Sequence, residues 1–288
     1  MRTLGRKAVL AMAIFTAATV AIAIAAPARA AEAGETDDTV SALGGLNLLA
    51  SDGSVKGDLA VDTGVVVGSG ATSVGLKPDT DAPGSLASGG AAVVYSDESG
   101  NFAYAVTGEG SAANAGYVVI DSEDAPAEYR FRITADAEPA ILESAADGMV
   151  LVKDARGTLL NAIHAPWAIA ADGKPVATSY TLEGDVVVQH VDHAGAVYPV
   201  VADPRLACDL LWCTLELTRT ETSIVAQGGG GAIACGAAGP AAPICVALLV
   251  GGAAMASIAL ANKKCIGVRT ARAGLPTTTH LVYVGCYA

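Results

Sequence analysis

Turn signals punctuate the middle of this chain, and from Asp154 onward they recur at intervals of roughly ten residues, a rhythm that leaves little room for helices. Ser96-Asp97-Glu98-Ser99-Gly100, Asp154-Ala155-Arg156-Gly157, Ala171-Asp172-Gly173-Lys174, Glu183-Gly184-Asp185 and Asp192-His193-Ala194-Gly195 all combine Asp with Gly, the pairing that tight turns favour. Between turns lie short β-branched runs at residues 92–95, 102–106, 117–120 and 149–152. In Glu128-Tyr129-Arg130-Phe131-Arg132-Ile133 the alternation is strict, so Tyr129, Phe131 and Ile133 share one face and the charges the other. Such strands predict an antiparallel sandwich or meander over 91–205. Upstream, 31–90 is rich in Gly, Ser and Asp. Its first residues, 31–39, are expected to be disordered, 61–67 to form a strand, and 77–90, with Pro78 and Pro83, to form a loop or linker.

The N-terminus reads as an export signal. Arg2, Arg6 and Lys7 precede an uncharged stretch from Ala8 to Ala26, then Pro27 and Ala28-Arg29-Ala30. Small residues one and three positions before a cut suit signal peptidase, so cleavage is expected after Ala30. An uncleaved anchor is the competing reading, and the break at Pro27 counts against it. Residues 31–288 carry 13 basic and 29 acidic side chains, a net of −16. The imbalance is local: 31–205 has 8 basic against 26 acidic, a net of −18, and 206–288 has 5 against 3, a net of +2. A chain this acidic repels phosphate backbones, which argues against nucleic acid as a partner.

All six cysteines (Cys208, Cys213, Cys235, Cys245, Cys265 and Cys286) follow that change of charge. The coincidence predicts a domain boundary near Asp203-Pro204-Arg205. In an exported chain, cysteines at these spacings are disulfide candidates rather than a zinc site, which favours paired C-x2-C. Fifteen pairings are open. Within 206–288, residues 210–217 suggest a strand and Thr218-x-x-Glu221 a capping box that starts a helix. Small residues repeat every fourth position around Gly228-Gly231, Cys235 and Gly239 and again at Gly252 and Ala256. That spacing predicts a Gly/Ala-rich helical hairpin packed like a glycine zipper, turning at Pro240-Ala241-Ala242-Pro243 and ending at Asn262-Lys263-Lys264. Two strands, at 265–268 and 280–284, would be stapled by a Cys265–Cys286 bridge. The hairpin is either the buried core of a disulfide-stapled α+β module or a membrane-active element able to self-associate through Gly228 to Ala261.

Ala165-Pro166-Trp167-Ala168, Gln189-His190-Val191-Asp192-His193 and the closing run Tyr198-Pro199-Val200-Val201-Ala202-Asp203-Pro204 resemble a region of uncharacterised secreted proteins of actinobacteria. There a β-rich stretch with a Trp-containing core closes on Y-P-V-V-x-D-P. The resemblance covers about a third of the chain and implies secretion and a domain end near 204; no activity attaches to that group.

Catalytic signatures are sparse. No serine has glycine at both −2 and +2, so the nucleophile elbow is missing, as are a P-loop and G-x-G-x-x-G. His190 and Asp192 would face one side of a strand and His193 the other, poor spacing for a metal. Asp121-Ser122-Glu123-Asp124 and Asp79-Thr80-Asp81 do not follow a calcium loop. No catalytic residue, cofactor or metal is therefore assigned. The sequence points to a signal peptide (1–30), a Gly/Ser/Asp-rich segment (31–90), an acidic β domain (91–205) and a Cys-rich α+β module (206–288). The expected role is structural or interaction-based at the cell envelope, facing a surface protein or the membrane. A membrane-perturbing, bacteriocin-like module carried by the acidic part is the alternative. A hydrolase with a non-standard site built on His164, His190 or His193 is the third reading.

Overall fold

The computed structural model describes residues 27–46, 48–49, 57–87, 90–108, 114–145, 148–209, 211–228, 249, 251–271 and 279–286. Two antiparallel sheets face each other across the main core. The first has strands in the order β1 (Asp58–Ala60), β2 (Gly64–Val67), β3 (Val74–Pro78), β8 (Glu128–Ala135), β15 (Val186–Asp192) and β14 (Ala177–Glu183), with β9 (Glu138–Pro139) beside β8. The second runs β13 (Ala168–Ala170), β16 (Val200–Ala202), β7 (Ala115–Ile120), β6 (Phe102–Thr107), β5 (Ala92–Ser96) and β4 (Gly84–Leu86). A three-stranded sheet, β10 (Ile141–Ser144), β11 (Val150–Lys153) and β12 (Leu159–Ile163), adds Val150, Val152 and Ile163 to the same core.

The alternation in β8 does what its pattern predicts. Tyr129, Phe131 and Ile133 are fully buried, and Phe102, Tyr104, Tyr129 and Phe131 meet edge-on at 5.3 to 6.2 Å, the arrangement ring quadrupoles favour. On the opposite face Arg130 and Arg132 pair with Asp79, Glu183 and Asp185. Gly116 lets the layers close: a Cβ there would lie 2.7 Å from the Phe131 ring. The Asp/Gly turns carry glycines at positive φ, as at Gly157, Gly173, Gly184 and Gly195.

Two expectations for the segment before residue 91 need correction. Residues 31–39 lie in a helix, α1 (Pro27–Gly45), not in a disordered tail. Its Leu43 is fully buried, and with Val40 it packs on the outer face of the second sheet around Val94, Ala105 and Tyr117. Helix formation here follows from that apolar docking rather than from propensity. Residues 58–86 form four strands inside the two sheets, with Pro78 paired to Phe131 at the end of β3. The strand expected at 61–67 is the second half of a β1–β2 hairpin that turns at 61–63.

The C-terminal region is an α+β module. Its sheet is β17 (Trp212–Glu216), β18 (Cys265–Ala271) and β19 (His280–Val284), covered by α2 (Arg219–Ala226) and α3 (Ala253–Ala261). The capping box forms: the Glu221 N–H donates to Thr218 Oγ1, and the Thr218 N–H donates to Glu221 Oε2. Disulfides join Cys208 to Cys213 and Cys265 to Cys286. Cys235, Cys245 and the Pro240–Pro243 turn lie outside the described residues. Ala256 and Ala259 of α3 are buried against Leu217, Val225 and Ile266. Among the described residues no helix is long and apolar enough to cross a membrane.

The change in charge and cysteine content near 203–205 coincides with no break in hydrogen bonding. Gly116 N–H donates to Pro204 O (2.8 Å), His164 N–H to Arg205 O (3.0 Å), Leu206 N–H to Asn114 O (3.1 Å) and Ala207 N–H to Ala162 O (2.8 Å). Thr214 N–H of β17 then donates to Ala207 O (2.9 Å). The connecting strand thus lies between β12 and β17 and links the two parts through backbone.

Candidate functional site

The three blocks that carry the resemblance meet in space. Trp167 immediately precedes β13, Gln189 lies on the core face of β15, and Asp203 follows the last residue of β16. β13 pairs with β16, bringing Ala168 opposite Ala202. Asp203 is consequently set beside the Trp167 backbone, whose N–H donates to Oδ1 at 2.9 Å. From the facing sheet, Gln189 Nε2 lies 3.2 Å from the same Oδ1, 3.3 Å from Trp167 O and 3.2 Å from Thr178 Oγ1. Thr178 in turn donates to His190 O at 2.8 Å.

This polar cluster sits in an apolar core. Gln189 and Asp203 are fully buried, and burial pushes the Asp203 carboxyl up from 3.8 to about 7, against the opposing pull of the Trp167 N–H, the Tyr180 hydroxyl and Arg205. Both protonation states are therefore accessible near neutral pH. The Tyr180 hydroxyl lies close enough to Asp203 for the two ionisations to interact, and burial, then that carboxylate, raises it well above the usual phenol range. Gln189 Oε1 is enclosed without a hydrogen-bond partner. Unsatisfied buried polar atoms are rare in native cores.

Alongside is a cavity of about 280 Å³ at the seam with the C-terminal module, lined among others by His164, Trp167, Thr178, Arg205, Glu216 and Thr218. Arg205 and Glu216 form an ion pair across this seam, their side chains 6 and 12 % exposed. Desolvation, followed by the Arg205 charge, holds the His164 imidazole well below its usual pKa and therefore neutral.

The other histidines go elsewhere. His190 Nε2 is 2.8 Å from Thr181 Oγ1 and its Nδ1 3.3 Å from Glu128. His193 contacts the Tyr198 hydroxyl and Pro126 O at 2.9 and 3.0 Å. Neither joins His164. Among the described residues no three His, Cys, Asp or Glu side chains converge as metal ligands would. His280 stacks edge-on with Trp212, 5.5 Å between centroids. Sequence reasoning passed over Gln189, Thr178 and Asp203 as chemistry. The available signal was an acidic residue closing an otherwise apolar Val-Val-Ala run, a position that burial makes costly for a charge. Comparison with protein-family models, curated proteins and solved structures finds no match to this chain.

Proposed function

We propose that the chain is exported, loses residues 1–30, and acts outside the cytoplasm as a non-enzymatic structural or interaction protein of the cell envelope. The observation that carries this reading is how the polar side chains of the site are used. Asp203 and Gln189 tie one sheet to the other, and the Arg205–Glu216 pair ties the sandwich to the C-terminal module. These polar groups are spent on cohesion. Two disulfides in the same region suit an oxidising compartment. The n-region, apolar stretch and A-x-A support export, and the resemblance to secreted actinobacterial proteins points the same way.

Of the two roles for the small-residue helices, the core reading is favoured by the burial of Ala256 and Ala259 of α3 against α2 and β18. Fractionating a producing culture tests the proposal. The protein should appear in the medium or envelope fraction with Ala31 at its N-terminus, and surface crosslinking should join it to an envelope component. Recovery in the cytoplasm with residues 1–30 intact would overturn it.

A further inference from the structure

We propose that the cavity at the seam between the sandwich and the C-terminal module binds a small uncharged phenol, its ring among the apolar walls and its hydroxyl on His164. This is a ligand site, beyond the structural role proposed above. The cavity measures about 280 Å³, close to the lower end of small-molecule sites, which run from about 300 Å³ upward and favour the junctions between domains. Four stretches of chain build it. β12 runs out into His164, Ala165 and Pro166; Pro175 and Val176 precede β14; Arg205 belongs to the connecting strand; and Glu216, Leu217 and Thr218 lead from β17 into α2. Ala168 and Leu217 are buried and close the floor, whereas Ala165, Pro175 and Thr218 are exposed and mark the mouth through which a ligand enters.

The chemistry of the ligand follows from which lining groups are already engaged. Thr178 Oγ1 donates to His190 O and accepts from Gln189 Nε2. Thr218 Oγ1 is committed to the capping box. Arg205 and Glu216 neutralise each other, so a charged ligand would lose its hydration and meet no counter-charge. His164 is the exception. Its backbone N–H is taken by Arg205 O, but among the described residues no hydrogen bond engages its ring. The imidazole is half-buried and uncharged, because desolvation, then the Arg205 guanidinium, disfavours its proton. A neutral imidazole offers one donor and one acceptor, and a hydroxyl answers either. The remaining walls, among them Pro166, Trp167, Pro175, Val176 and Leu217, are apolar. A flat, rigid ring loses little conformational freedom on entering such a space. A phenol meets each condition: an apolar ring, a single polar group, and no charge at neutral pH, since the phenolic hydroxyl titrates near 10.

Calorimetric titration of the purified full chain with phenol, toluene and benzoate tests the site. Phenol should bind at one site, roughly three- to tenfold tighter than toluene, the difference one neutral hydrogen bond makes. Benzoate, which carries a charge, should not bind measurably. In His164→Phe, which keeps a ring of similar size, phenol should fall to the level of toluene while toluene holds. Val176→Phe, which adds a ring to the cavity wall, should abolish both. Nuclear Overhauser contacts from bound phenol to the Val176 and Leu217 methyls should place the ring in the wild type, so the location is read even where a variant does not fold. No phenol binding, toluene or benzoate as tight as phenol, or absence of those methyl contacts would each overturn the proposal. So would an unchanged phenol affinity in folded His164→Phe or Val176→Phe. The N-terminus reports export and the titration reports the ligand, so one idea can fail without the other.

Discussion

Asp203 is enclosed where the two sheets and the connecting strand meet, and its carboxyl titrates at about 7 rather than 3.8 because burial disfavours the charge. The sign of its effect on stability follows. Between pH 4 and 7 the folded state holds a proton that the unfolded chain has released. The stabilisation is complete below about 4 and lost as pH rises through about 7. A shift of that size corresponds to at most about 4 kcal/mol. His164 works in the opposite sense. Its depressed pKa costs stability as the pH falls below 6.5, where the unfolded imidazole gains a proton. The comparison that reads this is wild type against Asp203→Asn. The wild type should lose stability relative to the variant as pH is raised from 4 to 7, read as denaturant midpoints. Parallel midpoints across that range would show that Asp203 is ionised throughout. Little of this was legible in the sequence: among 29 acidic residues, the one local mark of burial at Asp203 is the apolar Val200-Val201-Ala202 run that it closes. The resemblance flagged the run that contains it but attached no role.

At the level of elements the sequence was far more readable, since period and turn chemistry are local. The β8 alternation, the Asp/Gly turns and the Thr218–Glu221 box each became the element their pattern implies. The N-terminal part was misread for a physical reason. Strands β1 to β4 are short, and α1 carries few large apolar residues, so neither has a periodic signal of its own; pairing with β8 and docking on the second sheet create them. Cys265–Cys286 was foreseen from the two strands it joins, and it closes 21 residues at the start of β18 and just beyond β19. Removing it should cost about 3 kcal/mol by the loop-entropy argument. The Cys265→Ala/Cys286→Ala double variant should show that loss as a lower denaturation midpoint. A midpoint equal to wild type would mean that the helices alone hold β18 and β19 together.

On the scale of the whole molecule, charge and cysteine usage suggested two independent parts, whereas the hydrogen bonds describe one continuous body. The connecting strand donates to β12 and accepts from β17, Asn161 brackets Cys208 with bonds of 2.9 and 3.2 Å, and Arg205 meets Glu216 in a nearly dry ion pair. Composition could not reveal this, because a strand's partners are set by register rather than by the residues it contains. Separating 206–288 would leave Glu216 without its guanidinium and expose the edge of β17. Breaking a buried pair in this way costs about 3–5 kcal/mol, a large share of any small module's stability. The full chain should therefore unfold in a single transition. The two tryptophans are natural reporters: Trp167 packs near Tyr117 beside the second sheet, and Trp212 lies in β17 against His280. Fluorescence of Trp212→Phe and Trp167→Phe, each following the surviving indole, should give coincident midpoints. Two separated transitions would instead mean that the C-terminal module stands alone. Dye release from liposomes by 206–288 would then become the expected result of the bacteriocin-like alternative, whereas a module that needs the connecting strand to fold gives a structural reason for that fragment to leave vesicles intact.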